Sequence, residues 1–303
     1  MYIEKRLVGK NNKYYLTHSY RNEFGDVKKV RKFLGINLTK EEIKTNSQKV
    51  KKEIEKEIQK INTNIFSIEL TPREVKALNK FNEKINVVSL TKFEWKRFTE
   101  EFIYNTNAIE GSQVLLEEIP RILSDKKATN EDELETKGVA KAVDLIKTTK
   151  EDLSLQLLLN LHKFCFEKTK SFAGEFRDVE VVIRARDGSI IHQGTPVEKL
   201  DDELREFINW YKNNKSRFKP LVLAAIVHNQ FENIHPFQDG NGRVGRLLLN
   251  FILIRNNYPP INILFEDRAK YYKVLYEYSQ NNKLKPTLDF LLNQYKKTLK
   301  RIR

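Results

Sequence analysis

The stretch His235-Pro-Phe-Gln-Asp-Gly-Asn-Gly-Arg-Val-Gly-Arg246 gathers an imidazole, a carboxylate, a Gly-Asn-Gly turn and two arginines. Apolar residues at helical spacing predict one helix that runs into it, over Ala224–Ile234, and another from Arg243 to about Ile254. The turn then lies at a helix N-terminus, where backbone N–H groups and the helix dipole favour an anion. The stretch therefore predicts a helical fold built around an anion site.

The polar side chains of this stretch suit a nucleotide phosphate. His235 can accept a proton at neutral pH as a general base, and Asp239 offers hard oxygen ligands for a magnesium ion that also contacts phosphate. Arg243 and Arg246 are spaced i and i+3, which predicts one helix face, and their charges oppose the dipole unless an anion is bound. A Gly-rich turn beside a solvated charged face is the simpler alternative, and the combination of side chains disfavours it.

The stretch resembles the core motif of the Fic (Fido) family, whose usual form is HPFx[DE]GNGRxxR, and every fixed position is filled. The apolar lead-in over Ala224–Ile234 resembles the family as well. Such enzymes mostly transfer AMP from ATP to a protein hydroxyl. Relatives with altered motifs transfer phosphate or phosphocholine, but both glycines and both arginines are kept here. The base of the nucleotide stays open, because UMP and GMP donors fit the same motif.

The resemblance implies a role for each residue of the motif. His235 would deprotonate the attacking hydroxyl, and Asp239 would bind a Mg²⁺ ion that bridges the α- and β-phosphates. Arg243 would contact the β-phosphate and Arg246 the γ-phosphate. Phe237 would anchor the loop in the core, and the phosphate cradle would be lined by Gly240, Asn241 and Gly242.

A second motif lies upstream, at Thr106-Asn-Ala-Ile-Glu110-Gly111. Thr106 and Glu110 are spaced i and i+4 on a predicted helix that Gly111 can end, so an ordinary helix terminus is one interpretation. Beside the core motif, this segment resembles the family's inhibitory motif, [ST]xxxE[GN]. The resemblance implies that Glu110 pairs with Arg246 and blocks the γ-phosphate. Some related enzymes use this glutamate to remove AMP, so the dominant direction stays open.

Two short β runs flank Asp187-Gly188, a dipeptide typical of a tight hairpin turn. A structural decoration is one interpretation. The resemblance implies instead a flap that holds the target by strand addition, and Gly174-Glu-Phe-Arg177 resembles the family's GxxR lead-in. Many relatives carry a proline-rich run where this chain has Gln193-Gly-Thr-Pro-Val197. The residues expected to bind the target are Val181, Val182, Ile183, Ile190 and Ile191.

Tyr272 is the best positional match for a tyrosine that packs against adenine in some relatives, although a helical aromatic residue often belongs to the core. Cys165 is the single cysteine, which excludes an internal disulfide and favours the cytoplasm. It lies in an apolar stretch and is expected in the core, as are His162 and His228. No apolar run is long enough to span a membrane, and the N-terminus has no apolar leader, so a membrane contact is not expected.

The pattern along the chain predicts three regions. Residues 1–38 form a small basic three-stranded β region, with runs at 2–8, 13–19 and 27–34 and turns at Asn11-Asn12 and 22–26. Residues 39–70 form a charged helix and linker. Residues 71–303 form the catalytic region, which begins with a capped helix at Thr71-Pro-Arg-Glu74 and has its core at 150–303. The expected fold class is mainly α, with a Fic-type core, a flap hairpin and an N-terminal sheet.

The chain carries a net charge of +14. Residues 1–62 hold 13 Lys and 3 Arg against 8 Asp and Glu, so 16 − 8 gives +8. Basic strands interleaved with Tyr14, Tyr15 and Tyr20 could contact nucleic acid, while a solvated surface or a module that docks the target is the alternative. The two function hypotheses are therefore an AMP transferase acting on a Ser, Thr or Tyr hydroxyl, and a nucleic-acid-binding regulator in which the Fic domain acts as a nucleotide-responsive switch. A homodimer stays open.

Overall fold

The computed structural model describes residues 1–21, 27–61, 70–125, 127–128, 130–184 and 190–303. The chain divides into two compact units, Met1–Glu74 and Val75–Arg303. The prediction of a mainly helical fold with a small N-terminal sheet and a second hairpin is confirmed. Among the described residues, no helix combines the length and the apolar character needed to cross a bilayer.

The N-terminal unit is an antiparallel sheet of three strands followed by one helix, in the order β1 (Tyr2–Val8), β2 (Asn11–Arg21), β3 (Val27–Ile36) and α1 (Lys40–Ile61). Because successive side chains of a strand point to opposite faces of the sheet, every second side chain is directed towards α1. A small core forms there from Leu16, Val30, Leu34 and Ile54.

The predicted turn at Asn11-Asn12 was wrong by two residues. Both asparagines belong to β2, and Val8 pairs with Asn11 in the sheet. The turn consists of Gly9 and Lys10, and Gly9 takes a φ of 63°. That conformation costs glycine little because it has no Cβ. The other predicted turn, at 22–26, lies outside the described residues.

The larger unit is helical apart from one two-stranded hairpin. Helix α2 begins in the last residues of the smaller unit, where Thr71 accepts a hydrogen bond from the Glu74 amide and donates one to the Glu74 carboxylate, as the sequence predicts. The elements are α2 (Pro72–Asn79), a 3-10 turn (Lys80–Lys84), α3 (Lys92–Ile109), a 3-10 turn (Leu116–Glu118), α4 (Ile119–Ser124), α5 (Glu131–Thr148), α6 (Leu155–Phe166), β4 (Val182–Arg184), β5 (Ile190–Gln193), α7 (Val197–Asn214), α8 (Pro220–Ile234), α9 (Asn241–Arg255), a 3-10 turn (Phe265–Asp267), α10 (Arg268–Asn281) and α11 (Leu284–Ile302).

Helices α8 and α9 form the centre of this unit and are buried along almost their whole length. α9 packs against α8 and α5, while α10 and α11 cover α8. Helix α9 begins at Asn241, two residues before the predicted start at Arg243, because Gly240 already takes a left-handed conformation and accepts the first helical hydrogen bond from Val244. The loop between these two helices carries the motif.

The hairpin of β4 and β5 is antiparallel, as predicted from the sequence. Val181 precedes β4, and its carbonyl accepts a hydrogen bond from the Gly194 amide at 3.1 Å, just beyond β5. The predicted turn at Asp187-Gly188 lies outside the described residues.

Candidate active site

The loop between α8 and α9 is fixed by two left-handed residues and one buried amide. His235 ends α8 with a φ of 52°, and Gly240 precedes α9 with a φ of 81°. The Asn241 side chain closes the loop, since its Oδ1 accepts from the Phe237 amide at 2.9 Å and its Nδ2 donates to the Phe237 carbonyl at 2.7 Å. The Phe237 ring is fully buried, so the loop is anchored at its middle.

His162 of α6 supports this loop from below. Its ring stacks on Phe237 at 4.0 Å between centroids and 5° between planes. Nδ1 accepts from the Gly174 amide at 2.9 Å, which leaves the proton on Nε2 to donate to the Asp239 carbonyl at 3.1 Å. Burial lowers the pKa of His162 to about 4, so it supports the loop as a neutral ring.

Arg177 holds the other end of the loop. Its guanidinium donates to the carbonyls of His235 at 2.7 Å and Val179 at 3.0 Å, and also to the carbonyl of Thr195. Its own amide donates to the Pro236 carbonyl at 3.0 Å. Burial lowers the pKa of Arg177, but its many carbonyl partners suit a charged guanidinium. One buried side chain thus ties His235 to the chain segments on both sides of the hairpin.

His235 has the geometry of a general base. Its Nδ1 lies 3.3 Å from the Glu232 carbonyl, which places the ring proton on Nδ1 and leaves Nε2 free to accept one. Burial, with smaller contributions from the neighbouring His192 and Arg177, lowers the pKa of His235 to about 4. At neutral pH the ring is therefore uncharged and able to take a proton.

The start of α9 is an anion site, and a carboxylate occupies it. A Cβ added at Gly242 would lie 2.3 Å from Glu110 Oε1, so the absence of a side chain there lets Glu110 reach the helix terminus. The same oxygen accepts from Arg246 Nη2 at 2.6 Å. The dipole of α9 and the guanidinium both favour a negative charge at this point.

Arg246 also binds the C-terminal turn of α3, where the sequence placed the inhibitory motif. Its Nε donates to Thr106 Oγ1 at 2.8 Å and its Nη2 to the Thr106 carbonyl at 3.0 Å. Gly111, with a φ of 100°, follows Glu110 and ends the helix. Burial opposes the charge of Arg246, but Glu110, Tyr271 and Glu232 together more than offset this effect, and the pKa of Arg246 is raised. The structure thus brings Thr106, Glu110 and Arg246 together.

Arg243 departs from the expected arrangement. Its guanidinium pairs with Glu135 of α5 and lies over the Phe166 ring, 4.3 Å from the centroid. Arg246 lines a cavity beside the start of α9, whereas Arg243 is not among the lining residues of that cavity. Arg243 and Arg246 are spaced i and i+3 on α9, but their guanidinium groups bind different partners, Glu135 of α5 and Glu110 at the end of α3.

Asp239 is the single carboxylate of the core motif, and half of its side chain is exposed to solvent. Its Oδ1 accepts from the Gly240 amide at 2.7 Å, and its Oδ2 lies 3.6 Å from Lys170 Nζ. Within the described residues, no group of three or more His, Cys, Asp or Glu side chains could hold a metal ion by itself. One carboxylate nevertheless fits Mg²⁺, since this ion is commonly held by one or two carboxylates together with substrate phosphates and water.

These residues surround a cavity of about 730 Å³, a size within the range of small-molecule sites. His235, Asp239, Gly240, Asn241, Gly242, Arg246 and Glu110 line one side of it. The other side is formed by α10, where Tyr272 and Tyr276 are about half exposed. Burial raises the pKa of Tyr272 to about 12, so its hydroxyl stays protonated. The cavity therefore joins a charged end to an aromatic wall.

Among the lining residues that the sequence analysis missed, two carry an acidic or basic side chain, Glu232 and His192. Glu232 lies on α8 with an Oε1 that is buried and has no hydrogen-bond partner among the described residues, and burial raises its pKa to about 8. His192 of β5 donates from Nε2 to the Asn233 carbonyl at 2.9 Å, and its ring centroid lies 6.2 Å from that of His235. Glu232 could have been found from the sequence, because it is spaced i, i+3 with His235 at the end of the same helix.

The predicted flap residues lie on the hairpin next to this cavity. Val182 and Ile183 belong to β4, and Ile190 and Ile191 to β5, while Val181 stands just before β4. Val181 is partly buried and Val182 exposed. His192 gives this hairpin a direct contact with the cavity.

The interpretation of Cys165 and His228 as core residues agrees with their environment. Cys165 is buried, and burial raises its pKa to about 12, which disfavours the reactive thiolate. His228 is enclosed between Gly245, whose carbonyl lies 2.9 Å from Nδ1, and Tyr271, whose hydroxyl lies 3.1 Å from Nε2.

Comparison with known proteins adds independent information. The sequence model of the Fic/DOC family matches residues 152–253. A curated protein adenylyltransferase Fic from Nematostella vectensis is 28% identical over 209 residues, which cover 66% of this chain and 47% of the relative. A protein of the same name from Aedes aegypti is 29% identical over 244 residues, which cover 76% of this chain and 48% of the relative. The chain thus spans about half the length of the curated relatives it matches.

A solved structure of a Fic domain containing signaling protein from Bacteroides thetaiotaomicron aligns with a TM-score of 0.64 at 24% identity. The alignment covers 75% of this chain and 94% of that chain. This likeness shows that the two proteins share a fold.

Proposed function

We propose that this chain, whose residues 152–253 match the sequence model of the Fic/DOC family, transfers AMP from ATP to a hydroxyl side chain of a target protein. We propose further that Glu110 restrains this transfer. One observation supports both statements: the neutral imidazole of His235, the N-terminus of α9 and the Glu110–Arg246 pair line a single cavity. The curated relatives named protein adenylyltransferase support the same activity.

The transfer requires a base, an anion site and a leaving group. The Nε2 atom of His235 takes the proton of the target Ser, Thr or Tyr hydroxyl, whose oxygen forms a bond to the α-phosphorus of ATP. The bond between this phosphorus and the bridging oxygen breaks, and pyrophosphate leaves. Catalysis then rests on positioning and on electrostatic stabilisation of the phosphate charge, which the start of α9 and Arg246 supply.

The phosphate cradle is proposed to consist of Gly240, Asn241 and Gly242 with Arg246, which would face the γ-phosphate. Asp239 would hold the Mg²⁺ ion, which neutralises phosphate charge when bound. Arg243 links α9 to α5 through its pair with Glu135, and the predicted contact with the β-phosphate would use the other N–H groups of the same guanidinium. Its guanidinium lies 3.9 Å from Asp239 Oδ2 and helps to fix that carboxylate.

Adenine is proposed to lie against the aromatic wall of α10, with Tyr272 as its main contact. The hairpin would present the target by strand addition, which relies on backbone hydrogen bonds and selects weakly among side chains. The residues proposed for that contact are Val181, Val182, Ile183, Ile190 and Ile191. A cytoplasmic location is part of the proposal, because the single cysteine of the chain is consistent with a reducing compartment.

The transfer is tested with ATP labelled at the α-phosphate, Mg²⁺ and a candidate target, or the chain itself as acceptor. Label on protein from α-labelled ATP and none from γ-labelled ATP is the expected result, since pyrophosphate departs. His235→Ala should abolish labelling, and the control His18→Ala, which removes an imidazole from the N-terminal unit, should retain it. Labelling that survives in His235→Ala would contradict the proposal, as would label from the γ-position.

Removal of AMP by the same site, a homodimer and regulation by nucleic acid remain predictions of the sequence. A specific observation favours only the last of these, and it concerns the N-terminal unit.

A further inference from the structure

Among the described residues, one face of the N-terminal sheet packs against α1 and the other face has no helix over it. The strand register places Glu4, Tyr15 and Phe33 side by side on the face opposite α1, with Arg6 beside Lys13 and Thr17 beside Arg31. Tyr2 and Phe33 are about half exposed. We call this surface the open face, formed by Tyr2, Glu4, Arg6, Lys13, Tyr15, Lys29, Arg31 and Phe33, with Thr17 buried beneath their side chains.

The open face is positively charged. It carries four cations, Arg6, Lys13, Lys29 and Arg31, against the single carboxylate of Glu4. Glu4 lies 2.7 Å from Arg6 and 2.9 Å from Arg31, and the hydrogen bond from Arg6 contributes most to a pKa of about 2 for this carboxyl. The charge of Glu4 thus orders the two guanidiniums while leaving an excess of positive charge on the surface. Such a surface attracts a polyanion.

Two of the three aromatic rings of the open face, those of Tyr2 and Tyr15, have cations beside them. The guanidiniums of Arg6 and Arg31 each lie 5.9 Å from the Tyr15 ring centroid, and Lys29 Nζ lies 6.0 Å from that of Tyr2. Tyr15 also packs on Phe33 at 5.4 Å between centroids. Proteins that bind single strands stack unpaired bases on open ring faces. The arrangement here favours a duplex, whose phosphates meet the cations.

The dimensions of the sheet fit the same partner. Three strands spaced about 4.8 Å apart measure roughly 10 Å between the outer backbones. The major groove of B-form DNA is about 12 Å wide and accepts β-strands in several DNA-binding proteins. We propose that the open face binds double-stranded DNA, with the sheet at the major groove and Arg6, Lys13, Lys29 and Arg31 contacting phosphates on either side. This proposal does not depend on AMP transfer.

The test measures fluorescence anisotropy of a labelled DNA duplex with the full chain across a range of salt concentrations. Binding should weaken steeply with salt, by about 0.9 logarithmic units of the affinity constant per logarithmic unit of salt for each phosphate contact. Lys13→Ala/Lys29→Ala should reduce this slope by about 1.8, because two contacts are lost. The matched control Lys44→Ala/Lys52→Ala removes the same charge from exposed positions of α1 and should leave the slope unchanged.

Four outcomes would overturn the proposal: no binding of the duplex at low salt, equal losses in the two double variants, tighter binding of single-stranded DNA or RNA of the same sequence, or tighter binding of an acidic polypeptide. His235→Ala should bind the duplex as the unaltered chain does. The two proposals can therefore fail separately, since that variant removes labelling from ATP without touching the open face.

Discussion

Glu110 and Arg246 are 136 residues apart in the sequence, but in the structure Arg246 Nη2 donates a hydrogen bond to Glu110 Oε1 at 2.6 Å. This carboxylate lies at the N-terminus of α9. The pair links the end of α3 to α9, and both residues line the cavity. A carboxylate and a terminal phosphate are both anions that suit a helix N-terminus and a guanidinium. They would compete for one place, which makes the pair a proposed restraint on catalysis.

Replacement of this carboxylate should release the restraint. Glu110→Gly is expected to raise AMP transfer at least about tenfold, because a hydrogen bond to a charged group contributes roughly 1.5–3 kcal/mol. Initial rates of labelling from α-labelled ATP measure the change. Glu110→Gln, which keeps the shape and removes the charge, should give an intermediate rate. A rate equal to or below that of the unaltered chain would contradict the restraint.

Thr106 is expected to stabilise the fold through Arg246. Thr106→Val keeps the shape and removes the acceptor for the buried Arg246 Nε, so the free energy of unfolding should fall by about 1–3 kcal/mol. Urea denaturation measures this change. Thr99→Val is the matched control on the same helix, because the Thr99 hydroxyl donates only to the Trp95 carbonyl of its own turn. Equal losses in the two variants would argue against a special role for Thr106.

The sequence predicted the site best where the chemistry is local. The anion site and the base follow from a short motif, since a turn and a helix N-terminus are set by neighbouring residues. The pairing of Glu110 with Arg246 was expected from the family resemblance and not from the i, i+4 spacing, which fits an ordinary helix end as well. The three-stranded sheet also follows from alternation and turns. The turn itself was misplaced, because Asn11 and Asn12 give a turn signal while Gly9 takes the left-handed conformation.

The sequence analysis named Arg177 and His162 but missed their roles, because both act through distant partners. Arg177 and His162 bind backbone carbonyls of the loop, 58 and 77 residues away in sequence, and a carbonyl leaves no mark in the sequence. Arg243 shows the complementary limit. Spacing along a helix fixes the direction of the Cα–Cβ bond, whereas the end of a long side chain follows its charged partner, here Glu135.

Arg177 should be a positioning residue for His235. Arg177→Lys keeps the charge but loses the fork that reaches several carbonyls, so kcat is expected to fall about tenfold to a hundredfold, while KM for ATP changes little. Steady-state kinetics in the Glu110→Gly background separate the effect on kcat from the effect on KM for ATP. Arg205→Lys, at an exposed ion pair on α7, is the control and should leave kcat unchanged. A rise in KM alone would assign Arg177 to nucleotide binding instead.

Glu232 should make stability depend on pH. Burial raises its pKa to about 8, so the folded chain holds a proton that the unfolded chain releases near pH 4.5. Stability is full below pH 4.5, falls by on the order of 1 kcal/mol per pH unit as pH rises toward 8, and levels off above it. Glu232→Gln should lose this dependence. Denaturation at pH 5, 6.5 and 8 compares the two, and parallel curves would show that Glu232 ionises normally.

The pH dependence of transfer should report the buried position of His235. Only the neutral ring accepts a proton, and its pKa of about 4 keeps it neutral well below the usual range. Activity should therefore persist from pH 7.5 to 5.5, where roughly 95% of the ring is still neutral, and be lost as pH falls through 4. A histidine of ordinary pKa would retain only about 10% of its neutral form at pH 5.5. The measurement is kcat/KM for the target at saturating ATP in the Glu110→Gly background. A midpoint near 6.5 would mean that the ring is solvated during catalysis, because hydration would restore the stability of its charged form.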